Sequence, residues 1–372
     1  MRILCVSLLL LTLVGCAHSN LAWHRPALYY YDNKAPAHGG CLAVPAAHIT
    51  VMTRNLYVGA SFSIFLGIST PNDVPDRVNK VYAKILSSRF PLRAEAIADE
   101  IVQNQPDVVA LQEAPLLLVQ SPPSEVSISN RPQPTVVATD YLQILLDALQ
   151  RRHVHYAVAA IVNNTDVTAP NTKGDMIRFI DRDVILIRTD LPPGEMVVSN
   201  PQAKNFDMNV PLELAGINLT LLRSWCSVDV RVRGKLARIV NTHLEEEFFD
   251  LIQFLQADEL LGGPFQTNLP VIVLGDFNAS ERSIIYKNIL KAGFKDSWSL
   301  AHPGDPGFSC CQDEDLLNLT SDLKERIDLV LFRGGHINVH DIKLVGANSS
   351  NRIPSGQWPS DHAGIVAELS IK

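Results

Sequence analysis

The chain has 372 residues, 32 basic against 39 acidic, which gives a net charge of −7 at pH 7. An acidic body argues against tight, non-specific nucleic-acid binding, which rests on Lys and Arg neutralising phosphates; it weakens a nuclease assignment without excluding one. Beyond the first dozen residues no apolar run has membrane-spanning length, which argues against a multi-span helical membrane protein.

Met1-Arg2 precedes an apolar stretch over residues 3–14, and small residues follow at Gly15-Cys16-Ala17. One positive residue, a short apolar core and small residues at the break describe an export signal too short to cross a bilayer. Leu13-Val14-Gly15-Cys16 resembles a bacterial lipobox, which would make Cys16 the lipidated first residue of the mature protein. Three segments are therefore expected: a signal peptide over 1–15, an envelope-side segment over 16–47 and one domain over 48–372. The protein would be a monomer lipid-anchored in the cell envelope, facing the periplasm or the exterior; the alternative is secretion. Losing Arg2 with the leader would move the net charge to −8. About 325 residues remain for the body, large for one domain but permissible for a big α/β sandwich.

In chain order, short β-branched runs at 48–52, 107–111, 183–187, 236–240 and 270–274 predict strands buried on both faces. Between them, helical spacing of apolar residues marks 77–89, 92–103, 141–152, 248–260 and 281–290. Strands buried by helices give a layered α/β body. Residues 228–232 alternate apolar and polar strictly, as a half-exposed strand does. An apolar insertion over 56–72 follows the first strand directly, and 121–135 and 163–175 read as surface loops. The insertion is a candidate specificity lid, packing against the first helix being the simpler reading.

With Cys5 lost in the leader and Cys16 acylated, Cys41, Cys226, Cys310 and Cys311 remain. Cys226 lies in an alternating apolar run, where a buried free thiol is expected. Adjacent cysteines make a strained pair, so the expectation is one disulfide at most, joining Cys41 to Cys310 or Cys311.

The chemistry-bearing residues sit where predicted strands end. Asn55 follows the first strand, Gln112-Glu113 the second, and Asn241-Thr242-His243 the run at 236–240. Asp276 and Asn278 stand two apart in Gly275-Asp276-Phe277-Asn278; on an extended backbone both would share a face and hold a water against phosphorus, and a strand followed by an Asx turn is the other reading. Glu113 is a hard oxygen ligand suited to Mg²⁺. His362 follows Asp361 directly, with Asp328 available to orient its ring, which suits contact with a pentacovalent phosphate. Neither histidine has zinc-like spacing to another His or Cys. Arg223, Arg231, Arg233, Lys235 and Arg238 cluster, and on a half-exposed strand they read as a solvated face.

This ordered set resembles the endonuclease/exonuclease/phosphatase superfamily, the deoxyribonuclease I-like fold, over roughly residues 48–372. The resemblance implies a four-layered α/β sandwich of two packed mixed β-sheets flanked by helices, with metal-dependent cleavage of phosphate esters. By the same resemblance Glu113 would bind Mg²⁺, or Mn²⁺, with Asn55 adjacent and Asp361 in support. Asp276 would activate the water and Asn278 position it. His362, tuned by Asp328, would stabilise the transition state, and His243 would contact the phosphate or leaving group. Tyr57 stands where some nuclease members carry an aspartate, which puts a DNA-repair role in doubt. The substrate would be a nucleic acid, a phospholipid or a small phosphoester. The alternatives are a sphingomyelinase-like lipid phosphodiesterase and a non-catalytic surface-binding lipoprotein.

Overall fold

The computed structural model describes residues 46–65, 67–68, 70–121, 133–214 and 216–372. The expected export signal, Cys16, Cys41 and most of the expected loop over 121–135 lie outside the described residues. The first sheet takes six strands in succession: β1 (Ala47–Asn55), β2 (Val108–Gln112), β3 (Leu116–Gln120), β4 (Val136–Asp140), β5 (Tyr156–Pro170) and β6 (Met176–Arg188). The chain then begins a second sheet with β7 (Met196–Asn205) and makes a separate hairpin of β8 (Val210–Leu214) and β9 (Ile217–Leu221). It completes the second sheet with β10 (Ser224–Val232), β11 (Lys235–His243), β12 (Val271–Asp276), β13 (Lys295–Asp296) and β14 (Asp328–Arg333). Finally β15 (Asn338–Val345) and β16 (Gly364–Ile371) return to the first sheet.

The first sheet runs β15-β16-β1-β2-β6-β3-β4, with β5 paired to β6, and the second runs β13-β14-β12-β11-β10-β7. Both are mixed: β1 is parallel to β2 and β11 to β12, while their other neighbours are antiparallel. Helices α1 (Val74–Ser87), α2 (Phe90–Asn104) and α3 (Tyr141–Arg151) cover the outer face of the first sheet. Helices α4 (Asp250–Gly262) and α5 (Ile284–Lys291) cover the second, and α6 (Ser297–Ala301) is a single short turn.

The period of two along each strand builds these layers. Val51, Val108, Ala110 and Ile185 face the second sheet, where Ile272, Leu274 and Val330 meet them. Their neighbours Met52, Val109, Leu111 and Val184 point the other way, onto α1, α2 and α3. Val271 and Val273 likewise turn toward α4 and α5. Because successive side chains alternate faces, a strand between two apolar layers must read as a continuous apolar run.

One reading of the sequence is corrected here, and of the two readings of the insertion after β1 the simpler one holds. Residues 163–170 belong to β5, whose long hairpin with β6 leaves only 171–175 as a turn; polar Asn163, Asn164 and Thr165 hid a strand that is only partly buried. The apolar insertion after β1 is folded into the core rather than spread as a lid. Leu56, Val58 and Ala60 are buried with Val81 and Ile85 of α1, and Phe62 packs on Phe179 at 4.9 Å between ring centroids.

A candidate active site at the strand ends

Strand register brings the chemistry to one end of both sheets. Asn55 pairs with Gln112 at the ends of parallel β1 and β2, and His243 pairs with Asp276 at the ends of β11 and β12. Asp276 is in turn opposite Asp328, the first residue of β14. Gly275 makes the tight approach of β12 to β11 possible, since a Cβ there would overlap the Thr242 carbonyl oxygen.

A polar staple fixes the sheets to each other at this end. Gln112 Nε2 donates to Asn241 Oδ1 at 2.7 Å across the interface, and Asn241 Nδ2 donates to the carbonyls of Leu111 (2.9 Å) and Val184 (3.0 Å). All four residues are buried, so each bond satisfies a group that water cannot reach. Gln112 and Asn241, singled out in the sequence, therefore serve the frame of the site.

At the centre, Asn55 Nδ2 donates to Glu113 Oε1 at 3.0 Å and to Asp276 Oδ2 at 3.1 Å. Its Oδ1 accepts from the Tyr57 amide at 2.8 Å. Asn55 thus turns its nitrogen toward the carboxylates, and the Tyr57 amide holds the carboxamide this way round. Glu113 Oε2 accepts from the Val58 amide at 2.7 Å. Burial, with Asp361 and Asp181 nearby, pushes the Glu113 carboxyl up to about 7, against the hydrogen bonds from Asn55 and Val58. Burial also raises Asp361, with Asp276 and Asp328 adding to it while His362 and Arg93 oppose.

Asp276 and Asn278 do not share an extended strand. Asn278 has a φ of +46°, its backbone amide donates to Asp276 Oδ1 at 2.9 Å, and its Nδ2 donates to the Leu244 carbonyl at 3.0 Å. The Asx turn wins because Phe277 is fully buried beneath it, which anchors the bend.

The two histidines are shifted in opposite directions. His362 Nδ1 lies 2.8 Å from Asp328 Oδ2, and its Nε2 is 3.8 Å from Asp276 Oδ2. Burial opposes its charge, yet Asp328, Asp361 and Asp276 together hold the imidazolium well above the usual histidine range. His243 Nε2 is 3.7 Å from Asp276 Oδ2 and its Nδ1 3.8 Å from Asp183 Oδ1. Burial and the Arg223 guanidinium, whose Nη1 lies 2.9 and 3.1 Å from the two ring nitrogens, lower His243 to about 4. One imidazole is built cationic and the other neutral.

Four contributors to the site, Arg223, Arg93, Asp181 and Asp183, are absent from the sequence-based set. Arg223 was assigned to a solvated face, but it precedes β10 at the level of His243 and lies among Glu245, Asp181 and Glu113, which outweigh its burial and keep it charged. Arg238 is likewise tied, to Asp229 at 2.7 Å, and Arg233 to Glu195 at 2.6 Å. Arg93 is fully buried on α2 and donates to the carbonyls of Leu56, Tyr57 and Pro359, clamping the loop after β1 to the loop before β16. An arginine on the apolar face of a predicted helix was the available signal. Asp181 and Asp183 line the His243 side, sharing Asn164 Nδ2 at 3.1 and 2.9 Å.

The cysteine expectation is also corrected. The structure joins Cys310 to Cys311, and the peptide between them is cis. Cys226 is buried and free, as its alternating run suggested.

A four-layered sandwich with carboxylates, carboxamides and two unlike histidines at the strand ends defines a phosphoester-cleaving enzyme. The chain belongs to the Endonuclease/Exonuclease/phosphatase family, whose model matches residues 84–362. Among solved structures it is similar to an endonuclease/exonuclease/phosphatase family protein from Leptotrichia buccalis, at 16% identity over 86% of this chain and 99% of that one, with a TM-score of 0.53. D. rerio TDP2 complexed with single-strand DNA product matches at 15% identity, 87% and 98% coverage and a TM-score of 0.53. The human Nocturnin catalytic domain with bound sulfate matches at 17%, 88% and 94%, with a TM-score of 0.51. At these identities the likeness is one of fold. No curated protein sequence matches the chain.

Proposed function

We propose that the protein is a divalent-metal-dependent phosphoester hydrolase, using Mg²⁺ with Mn²⁺ as the alternative ion, in which an activated water attacks phosphorus. The observation that carries this reading is the convergence on Asp276 Oδ2 of Asn55 Nδ2 at 3.1 Å, His243 Nε2 at 3.7 Å and His362 Nε2 at 3.8 Å. One buried carboxylate is thereby flanked by a neutral and a cationic imidazole.

The donor set fits a hard cation. Glu113 and Asp361 crowd with Asp276 and Asp181, burial raises both of their carboxyls, and Asp328 Oδ1, Asp181 Oδ1 and Asp183 Oδ1 are buried without a hydrogen-bond partner. Glu113 and Asp361 would hold the ion, with Asn55 steering Glu113 through its amide nitrogen. Bound there, the ion would supply Lewis-acid polarisation of a phosphate oxygen. Asp276 orients the water and accepts its proton. Asn278, fixed by its turn, positions Asp276 and the phosphate beside it. His362 offers Nε2–H to charge developing on the phosphoryl oxygens, and Asp328 keeps it protonated and aimed. Neutral His243 contacts the phosphate or the leaving group, with Arg223 adding positive charge on that side.

A lipid phosphodiester is the second reading, favoured by one feature. Phe248 is 82% exposed and Leu251 67% exposed, beside the start of the helix that follows His243, whose buried face bonds Gln253 Nε2 to the Asn278 carbonyl. Apolar side chains this exposed mark an interaction surface. Hydrolysis of bis-nitrophenyl phosphate, plasmid DNA and sphingomyelin, each with Mg²⁺ or with chelator, tests both readings. Metal-stimulated turnover of any one supports the first, and preference for sphingomyelin the second. No turnover of any substrate with either metal overturns both.

A further inference from the structure

Cys310 and Cys311 stand directly against the imidazole just assigned to the reaction. The Cys310 Sγ lies 3.6 Å and the Cys311 Sγ 4.0 Å from His362 Nε2, the nitrogen on the Asp276 side. The three donor atoms form one of the clusters able to hold a metal ion. Cys310 and His362 are buried, whereas Cys311 opens to solvent. Backbone bonds lock the group: Cys310 pairs with Glu325 and bridges to His362, and Gln312 N donates to the Asp361 carbonyl at 2.8 Å.

The two sulfur–nitrogen separations suit a shared soft cation, while the sulfurs, joined to each other, would have to open to about 3.8 Å. Zinc–sulfur and zinc–nitrogen bonds of about 2.3 and 2.0–2.1 Å at tetrahedral angles place S and N roughly 3.6 Å apart. One sulfur already has that separation from Nε2, and the other exceeds it by about 0.4 Å. The second shell is also in place, since a zinc-bound imidazole donates its other N–H to a carboxylate and Asp328 Oδ2 sits 2.8 Å from Nδ1. The two sulfurs are joined in the structure, so they must first be separated chemically.

We propose that Cys310, Cys311 and His362 form a site for a thiophilic divalent cation of the Zn²⁺ class, unlocked when the cysteine pair is reduced. A dithiol reductant transfers two electrons and two protons to the pair, giving two thiols and its own disulfide. The cation then binds both sulfurs as thiolates and takes Nε2 as third ligand, releasing three protons, two from the thiols and one from Nε2 of the imidazolium. Occupied in this way, Nε2 can no longer donate to phosphate, so the site shuts off hydrolysis. The inhibition rests on the role proposed above for His362; the binding does not.

The test uses the full chain, Cd²⁺ as probe, and Cys311→Ser with Cys311→Ala as a second variant; both sit at an exposed position. After reduction and removal of reductant, wild-type protein should take up Cd²⁺ with a thiolate-to-metal ultraviolet band that either substitution lowers by one cysteine's share, with apparent affinity falling at least tenfold. Oxidised wild type should show no such band from this pair. Zn²⁺ should displace Cd²⁺ and inhibit hydrolysis only in reduced wild type. Identical Cd²⁺ uptake by wild type and both variants overturns the site. Binding as expected with hydrolysis unaffected leaves the site standing and overturns instead the assignment of His362 to the reaction.

Discussion

Asn241 and Gln112 meet across the two sheets, with 2.7 Å between the Gln112 Nε2 donor and the Asn241 Oδ1 acceptor. One lies two residues before His243 and the other immediately before Glu113, so this bond sets how far apart the two halves of the site stand. Asn241→Leu would leave Gln112 Nε2 and the carbonyls of Leu111 and Val184 short of a partner. Each buried polar group left unpaired costs about 1–3 kcal/mol. Urea unfolding should show a loss of at least that size with the m-value unchanged. A variant as stable as wild type would mean that water replaces the staple.

The Asp328–His362 pair makes a kinetic prediction. Loss of one preorganised donor costs roughly a hundred- to a thousand-fold in turnover, about 2.7–4 kcal/mol. His362→Ala should lower kcat by that factor and change KM little. Asp328→Ala should be damaging alone yet add little on top of it, because both act through one ring. Additive losses in kcat/KM, on variants folded by circular dichroism, would show that the two work independently.

Glu113 predicts a pH dependence with a definite sign. Its carboxyl is raised from 4.5 to about 7, so the stability it contributes is present below 4.5 and lost as pH rises through 7. Metal-free protein should therefore lose thermal stability across this window, and Glu113→Gln should flatten the loss. A divalent ion should restore more at pH 8 than at pH 5, since only the ionised carboxylate binds it. A Tm gain from Mn²⁺ that is equal at both pH values would contradict the assignment.

Arg223 should be visible in the titration of its neighbour. Burial first, and Arg223 second, lower His243 from 6.5 to about 4, so Arg223→Gln should raise that value part of the way back. Two-dimensional NMR of the imidazole carbons reads it directly. The wild-type depression means His243 costs stability as pH falls from 6.5 through 4, and the variant should lose less over that range. An unmoved titration would leave burial alone as the cause.

The layered fold was legible because strands sandwiched between apolar layers advertise themselves as β-branched runs, as at 107–111 and 270–274. The second half of β5, polar at Asn163, Asn164 and Thr165, had no such signature, and its identity comes from pairing with β6. The residues at the site were legible by type and order, yet their orientations were not. The bend of Asn278 back on Asp276 is the Asx turn that the tetrapeptide allowed beside an extended strand, but nothing in the sequence told that the Tyr57 amide would turn the Asn55 carboxamide around. Arg223, half-buried, and Arg93, fully buried, escaped because such a guanidinium depends on carbonyls and carboxylates that are distant in sequence.

The last strand, β16, lies between β15 and β1, pairing with β1 from Ala47↔Ile371 to Thr53↔Ile365. During synthesis β1 emerges first and waits for more than three hundred residues with one edge bare. Folding of this half therefore waits until β16 has been made: a nascent chain stopped short of it exposes a β-branched edge strand, the usual seed of intermolecular pairing. Clipping the final eight residues should thus yield inclusion bodies rather than a weakened enzyme.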